Sequence, residues 1–190
     1  TVTNILITGG DAFLNSNEII RRYLEELTAI KRLDFIRFGS RVPVTLPERI
    51  YGDQEFLDMF AHYAQKKALY LVTQFNHPRE LTEEAVRAVR SMIERGVQVR
   101  NQTVLLRGVN DSGEVLGALL SGLTRVGIAP YYIFQCRPVT GVKERFQVPI
   151  EEGIRIVDAA KSRQNGFGKS VRYAMSHPRG KIEILCRLSN

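Results

Sequence analysis

Ile5-Leu6-Ile7-Thr8-Gly9-Gly10-Asp11 decides the fold, because a short apolar run stops at two glycines and an acid just before helical periodicity begins. Two glycines at the carboxyl end of a strand let backbone amides and carbonyls approach a ligand closely, since no Cβ intervenes. Asp11 either holds a cationic group or caps the helix that follows. A tight βα turn accounts for the same residues, so the stretch gains its weight from recurrence along the chain.

Apolar, β-branched runs predict strands over 4–8, 35–38, 69–73, 98–106 and 131–135. Between them, helical periodicity predicts helices over 18–30, 54–66, 82–95, 113–126 and 150–162. Thr82 ahead of Glu84 and Ala85 reads as a helix start, and Gly96 and Gly127 read as stops. Strands alternating with helices imply βαβ units and a parallel sheet, and continuous apolar strands imply that both faces are covered. Polar clusters close the strands: Gly9-Gly10-Asp11, Gly39-Ser40-Arg41, Gln74-Phe75-Asn76-His77, Asn101-Gln102 and Gln135-Cys136-Arg137. In a barrel, all such tips open on one face, where active sites form. A doubly wound sheet gathers only neighbouring tips. The expected fold is therefore α/β, a partial (βα) TIM-type barrel over 1–162, followed by a strand-and-loop segment over 163–190. In that segment, Val171-Arg172-Tyr173-Ala174-Met175 and a run over 182–185 read as strands flanking a Pro/Gly loop.

The chain's 190 residues suffice for one domain with a real core. Its 44% apolar and 25% charged residues are ordinary globular proportions, which argues against a disordered or fibrous chain. No run approaches the roughly 18 apolar residues of a membrane span. Cys136 and Cys186 are too few for a disulfide framework and lack metal-ligand spacing. A cytoplasmic protein with no membrane partner is expected. The net charge of +7 raises nucleic-acid binding, but Arg87, Arg90 and Arg95 alternate with Glu83, Glu84 and Glu94, the pattern of a solvated helix face. No nucleic-acid partner is expected; an anionic substrate or cofactor explains the charge as well. The chain opens at Thr1 without Met and reads as an excerpt of a longer protein.

Lys181 follows the Pro/Gly loop at the end of the βα series. At a barrel mouth it would be placed to form a Schiff base with an aldehyde; a solvated loop lysine is the alternative. Arg137, ahead of Pro138, is suited to a carboxylate or phosphate, or pairs with an acid such as Glu144. Arg41 stands similarly before Val42-Pro43. His77 before Pro78 reads as a turn residue. Gln74 and Gln102 can donate and accept at strand ends, to a ligand or to a neighbouring strand. Tyr131 and Tyr132, adjacent on a strand, are expected to divide between core and mouth.

These motifs together resemble the lysine 2,3-aminomutase family of radical S-adenosylmethionine (SAM) enzymes. The resemblance rests on Leu6-Ile7-Thr8-Gly9-Gly10-Asp11, Gly39-Ser40-Arg41-Val42-Pro43-Val44, Phe75-Asn76-His77-Pro78, Asn101-Gln102-Thr103-Val104-Leu105-Leu106-Arg107-Gly108-Val109-Asn110-Asp111 and Pro130-Tyr131-Tyr132-Ile133-Phe134-Gln135-Cys136. It implies a partial (βα)6 barrel, a 4Fe–4S cluster, SAM, pyridoxal phosphate (PLP) and migration of an amino group from the α- to the β-carbon of an amino acid. Gly9, Gly10 and Asp11 match the turn that holds the methionyl part of SAM. Gln102 matches a SAM-contacting glutamine, and Gln74 stands where the family usually has a SAM-contacting histidine. Lys181 matches the PLP lysine, after a loop shorter than the family's.

The resemblance also carries departures. The cluster's C-x3-C-x2-C loop lies upstream in the family and is absent here; Cys136 and Cys186 cannot replace three thiolates. This polypeptide alone is therefore expected to be inactive, its cluster ligands lying outside the chain. Lysine-specific members place aspartates at the Arg137 and Ser176 positions. Both are missing, so an acidic substrate such as glutamate is expected to face Arg137 and Ser176. Ser112 replaces a cysteine of an intersubunit zinc site, leaving a homo-oligomer possible without it. A reductant protein is the expected partner. Two alternatives stand beside this reading: a radical SAM enzyme without PLP, and a non-catalytic decayed barrel.

Overall fold

The computed structural model describes residues 2–185; Thr1 and residues 186–190, Cys186 among them, lie outside the described residues. Seven strands form one sheet in chain order: β1 (Asn4–Ile7), β2 (Phe35–Gly39), β3 (Ala68–Thr73), β4 (Gln98–Leu105), β5 (Ala129–Gln135), β6 (Arg172–His177) and β7 (Gly180–Glu183). β1 with β2, β2 with β3, and β5 with β6 are parallel, and β7 returns antiparallel to β6. The connections carry α1 (Asn17–Thr28), α2 (Val42–Thr45), α3 (Glu48–Tyr51), α4 (Gln54–Ala64), α5 (Glu83–Glu94), α6 (Gly113–Arg125), α7 (Lys143–Phe146), α8 (Ile150–Ser162) and α9 (Gly166–Lys169). This mostly parallel sheet with helical crossovers is a partial TIM-type barrel, as the strand–helix rhythm predicts. No helix among the described residues is long and apolar enough to cross a membrane.

Side chains set the helix ends. Ser16, Asp53 and Thr82 cap α1, α4 and α5 by accepting from the backbone N–H of Ile19, Phe56 and Ala85. Gly96 and Gly127, at φ +81° and +88°, stop the helices before them, as expected. The short helices α2, α3, α7 and α9 are absent from the sequence reading. Each has only four residues, too few for a periodic apolar pattern.

The chain divides into two compact units. The first comprises Thr1–Thr73, Thr82–Arg100 and Val126–Ile128. Its core is an aromatic cluster, Phe13, Phe38, Phe56 and Phe60, each at most 1% exposed. Their ring centroids lie 4.7–5.8 Å apart. Burial of each ring stabilises by about 1.5–3 kcal/mol. Phe13 belongs to the single 3-10 turn after Asp11, so this cluster also fixes the glycine turn from below.

The second unit comprises Gln74–Leu81, Asn101–Arg125 and Ala129–Asn190. Here α6 packs on α8, and a Cβ added at Gly113 would lie 2.5 Å from the Ala159 Cβ. Leu116, Leu119, Leu120, Val157 and Ala160 fill this interior.

Two expectations on strands are corrected. β4 runs on to Leu105, so Asn101 and Gln102 lie within it rather than at its tip. In the buried register of β4 the polar pair Asn101 and Thr103 lies between apolar Val99 and Leu105, and it is satisfied internally, as described below. β6 extends through His177, and β7 begins at Gly180 and ends at Glu183, so the loop expected from Ser176 to Gly180 is a tight hairpin turn at Pro178-Arg179. Lys181 is therefore a strand residue.

Candidate functional site

In the first unit, Gly9 and Gly10 adopt φ +102° and +59°, a region that side-chain-bearing residues rarely enter. Both are exposed, and a Cβ added at either would meet nothing within 4 Å. Their backbone groups thus face open space. Asp11 closes the turn with both carboxylate oxygens: Oδ1 accepts from the Phe13 N–H at 3.0 Å and Oδ2 from the Arg41 N–H at 2.6 Å. Of the two roles open to Asp11, the capping one is present. Ser40, buried beside Arg41, accepts from the Val42 N–H at 3.1 Å and so starts α2.

In the second unit, Gln74 sits half-buried directly after β3, and Gln102 half-buried within β4. Around them runs a buried polar network that composition and spacing did not reveal. Asn101 Oδ1 accepts from the Phe75 N–H at 2.7 Å, and its Nδ2 donates to the Phe75 carbonyl at 3.0 Å and to Thr103 Oγ1 at 2.8 Å. Asn76 Oδ1 accepts from the Val104 N–H at 2.8 Å. Asn110 Nδ2 donates to the carbonyls of Asn76 and Val104 at 2.7 and 2.8 Å, while its Oδ1 accepts from the Leu106 N–H at 2.7 Å. The signal lay in asparagines set inside apolar runs. His77 is a turn residue, as expected: its Nδ1 accepts from the Arg79 N–H.

β5, β6 and β7 bring Tyr132, Ser176 and Lys181 together. Ser176 and Lys181 face one another in register. Lys181 Nζ stands 3.8 Å from the centroid of the Tyr132 ring and 4.9 Å from that of Phe134. Those rings are stacked, 5.1 Å apart and 26° from parallel. Tyr131 also touches Tyr132, with centroids 4.1 Å apart, and both are half-buried. The expected division into one core and one mouth residue is not found, because the Tyr131 ring turns onto its neighbour. Burial, with the Tyr131 hydrogen bond, pushes the Tyr132 hydroxyl above its ordinary pKa.

Arg137 is exposed on the loop after β5, and no ion pair joins it to Glu144 among the described residues. The loop's base is tied down. Gln135 Nε2 donates to the Val148 carbonyl at 2.6 Å, Tyr173 donates to Gln135 Oε1, and Gln147 Nε2 donates to the Cys136 carbonyl at 3.2 Å. Cys136 is buried and its thiol pKa is raised by that burial, the setting of an inert cysteine.

No protein-family model matches the chain. An L-lysine 2,3-aminomutase of Clostridium subterminale is 39% identical over 166 residues, 87% of this chain and 38% of that protein. A glutamate 2,3-aminomutase of Clostridioides difficile is 34% identical over 179 residues, 94% of this chain and 41% of that protein. The chain is similar to one part of these 2,3-aminomutases. It spans less than half the length of either of these relatives. The fold agrees: a radical SAM methyltransferase of Sphaerobacter thermophilus superposes with TM-score 0.58 at 20% identity, over 92% of this chain and 52% of that one.

The aminomutase family implies groups that these residues fit unequally. The open backbone at Gly9 and Gly10 fits close approach by SAM. Lys181, an exposed amine on an aromatic surface, fits capture of the PLP aldehyde. An iron–sulfur cluster does not fit: among the described residues no group of three His, Cys, Asp or Glu could hold a metal ion.

Proposed function

We propose that the full-length protein containing this chain is a radical SAM, PLP-dependent amino-acid 2,3-aminomutase acting on an acidic amino acid such as glutamate. The observation that carries the reading is Lys181, seated on stacked aromatic rings and in register with Ser176, in a chain similar to both lysine and glutamate 2,3-aminomutases. When bound, SAM supplies an abstracting radical and PLP a conjugated carbonyl that carries the migrating amino group. Cluster ligands come from outside the described residues, and a reductant protein in the cytoplasm supplies the electron.

Gly9 and Gly10 offer backbone groups to the methionyl part of SAM, and Asp11 keeps that turn in place. Gln74 and Gln102, in the second unit, offer neutral amides able to donate and to accept. Lys181 would hold PLP through its side-chain nitrogen. Arg137 pairs with the substrate's side-chain carboxylate, and Ser176 adds a hydroxyl without negative charge. A lysine substrate would bring its ammonium toward Arg137, and two like charges 4 Å apart repel by about 4 kcal/mol at an effective dielectric near 20.

Anaerobic reconstitution of the full-length protein and a screen of amino acids for β-isomers tests this. Glutamate should be turned over and lysine should not, and Arg137→Asp should reverse that preference. Turnover of lysine by the wild type, or no change in Arg137→Asp, overturns the substrate assignment. Visible PLP absorbance, lost in Lys181→Ala, separates the aminomutase from a radical SAM enzyme that works without PLP.

A further inference from the structure

The ammonium of Lys181 does not stand alone on its hairpin. It lies over Tyr132, whose ring stacks on Phe134 two positions along β5. Register places Tyr132 opposite Arg172 and Phe134 opposite Ala174 on β6, whose Ser176 in turn faces Lys181 on β7. Ala174 and Ser176, between Phe134 and Lys181 in this register, are small. Among the described residues, charged and titratable groups on these strands include Arg172 on β6, which pairs with Glu183 on β7 at 3.9 Å, His177 on β6, and the hydroxyls of Tyr131 and Tyr132 on β5. A cation within about 6 Å of an aromatic centroid is attracted to the ring face. Here one cation meets two such faces, and the two rings also brace one another.

We infer that Tyr132 and Phe134 are positioning residues for Lys181: their stacked rings hold its ε-ammonium over β5 and so aim the amine at the place where the aldehyde arrives. The inference rests on the PLP reading for the covalent step, but the positioning itself does not. The flexible stem of an unheld lysine samples many rotamers, whereas a held one presents its nitrogen at one point. To take up an aldehyde, the held ammonium would first give a proton to solvent, and the amine nitrogen would then bond the aldehyde carbon with release of one water.

The test uses full-length protein with reductively 13C-methylated lysines, the Lys181 resonance being assigned with Lys181→Arg. An ammonium over a ring carries an upfield ring-current shift. That shift should be present in the wild type, lost in Tyr132→Leu and preserved in Tyr132→Phe. In parallel, PLP is added to unmethylated protein, the adduct is trapped with borohydride and Lys181 occupancy is read by peptide mass. Capture should slow in Tyr132→Leu and in Phe134→Leu, and recover in Tyr132→Phe. An unshifted Lys181 resonance in the wild type overturns the positioning role. Equal capture rates in the wild type and Tyr132→Leu also overturn it, while leaving PLP binding intact. A shifted resonance with no capture at Lys181 supports the positioning and refutes the PLP reading.

Discussion

Asn110→Ala should be among the more damaging single substitutions in the second unit. The side chain is fully buried and makes three hydrogen bonds, to the Asn76 and Val104 carbonyls and from the Leu106 N–H. Alanine leaves these backbone groups without that partner and without water to replace it. A buried donor or acceptor left unpaired costs about 1–3 kcal/mol, and a carbonyl with a second lone pair in use sits at the low end. The sum is about 3–5 kcal/mol, a large share of the roughly 5–15 kcal/mol that holds a typical domain folded. Urea titration of the full-length protein, followed by tyrosine fluorescence, reads the loss. Hydrogen exchange should also quicken at Phe75, Val104 and Leu106, whose N–H groups donate within this network. Asn110→Asp discriminates chemistry from volume. It keeps an acceptor for Leu106 but turns an oxygen toward two carbonyls, so it should destabilise at least as much as alanine. A loss below about 1 kcal/mol for Asn110→Ala, or a harmless Asn110→Asp, would show that the network does not hold this region together.

Gly153→Ala would drive a Cβ into the Tyr173 hydroxyl, and such overpacking costs about 1–3 kcal/mol. The double substitution with Tyr173→Phe should be less unstable than the sum of the singles in a urea-based cycle, and strict additivity would count against the contact. Burial raises the Tyr173 pKa from an ordinary 10.0 to about 12. Above pH 10 the unfolded chain releases this proton while the folded one retains it, so stability falls as pH rises from 10 toward 12. Tyr173→Phe should flatten that alkaline decline in a pH series of unfolding midpoints; an unchanged slope would contradict a buried neutral tyrosine. Gly9→Ala, at φ +102°, should cost about 1–3 kcal/mol of stability. If the turn also holds SAM, calorimetric titration should show weaker SAM binding than the stability change explains, and unaltered affinity would remove Gly9 from that role.

Much of this architecture was legible because its signals are periodic or conformational. The apolar run at Ile5-Leu6-Ile7 gave β1, and Thr82 and Gly96 marked both ends of α5. The strand over 98–106 is legible from its apolar run, but the polarity of Asn101 and Gln102 wrongly suggests a tip inside it. Asn101 is buried within the strand and satisfied by hydrogen bonds to Phe75, a residue 26 positions away that no local pattern reveals. Lys181 was picked out by residue type and position. Its seat on Tyr132 was not, since that contact depends on the register between β5, β6 and β7. The place of Arg137 after β5 was legible, while its exposure and the ties beneath it through Gln135 and Gln147 depend on residues of separate elements.

The doubly engaged carboxylate of Asp11 has a consequence for affinity. With one oxygen on Phe13 and the other on Arg41, its torsions are frozen before any ligand arrives. A side chain that must be immobilised on association typically forfeits about 0.5–1.5 kcal/mol of rotamer freedom. Here that entropy is already spent in folding, so a guest at the glycine turn meets a rigid rim.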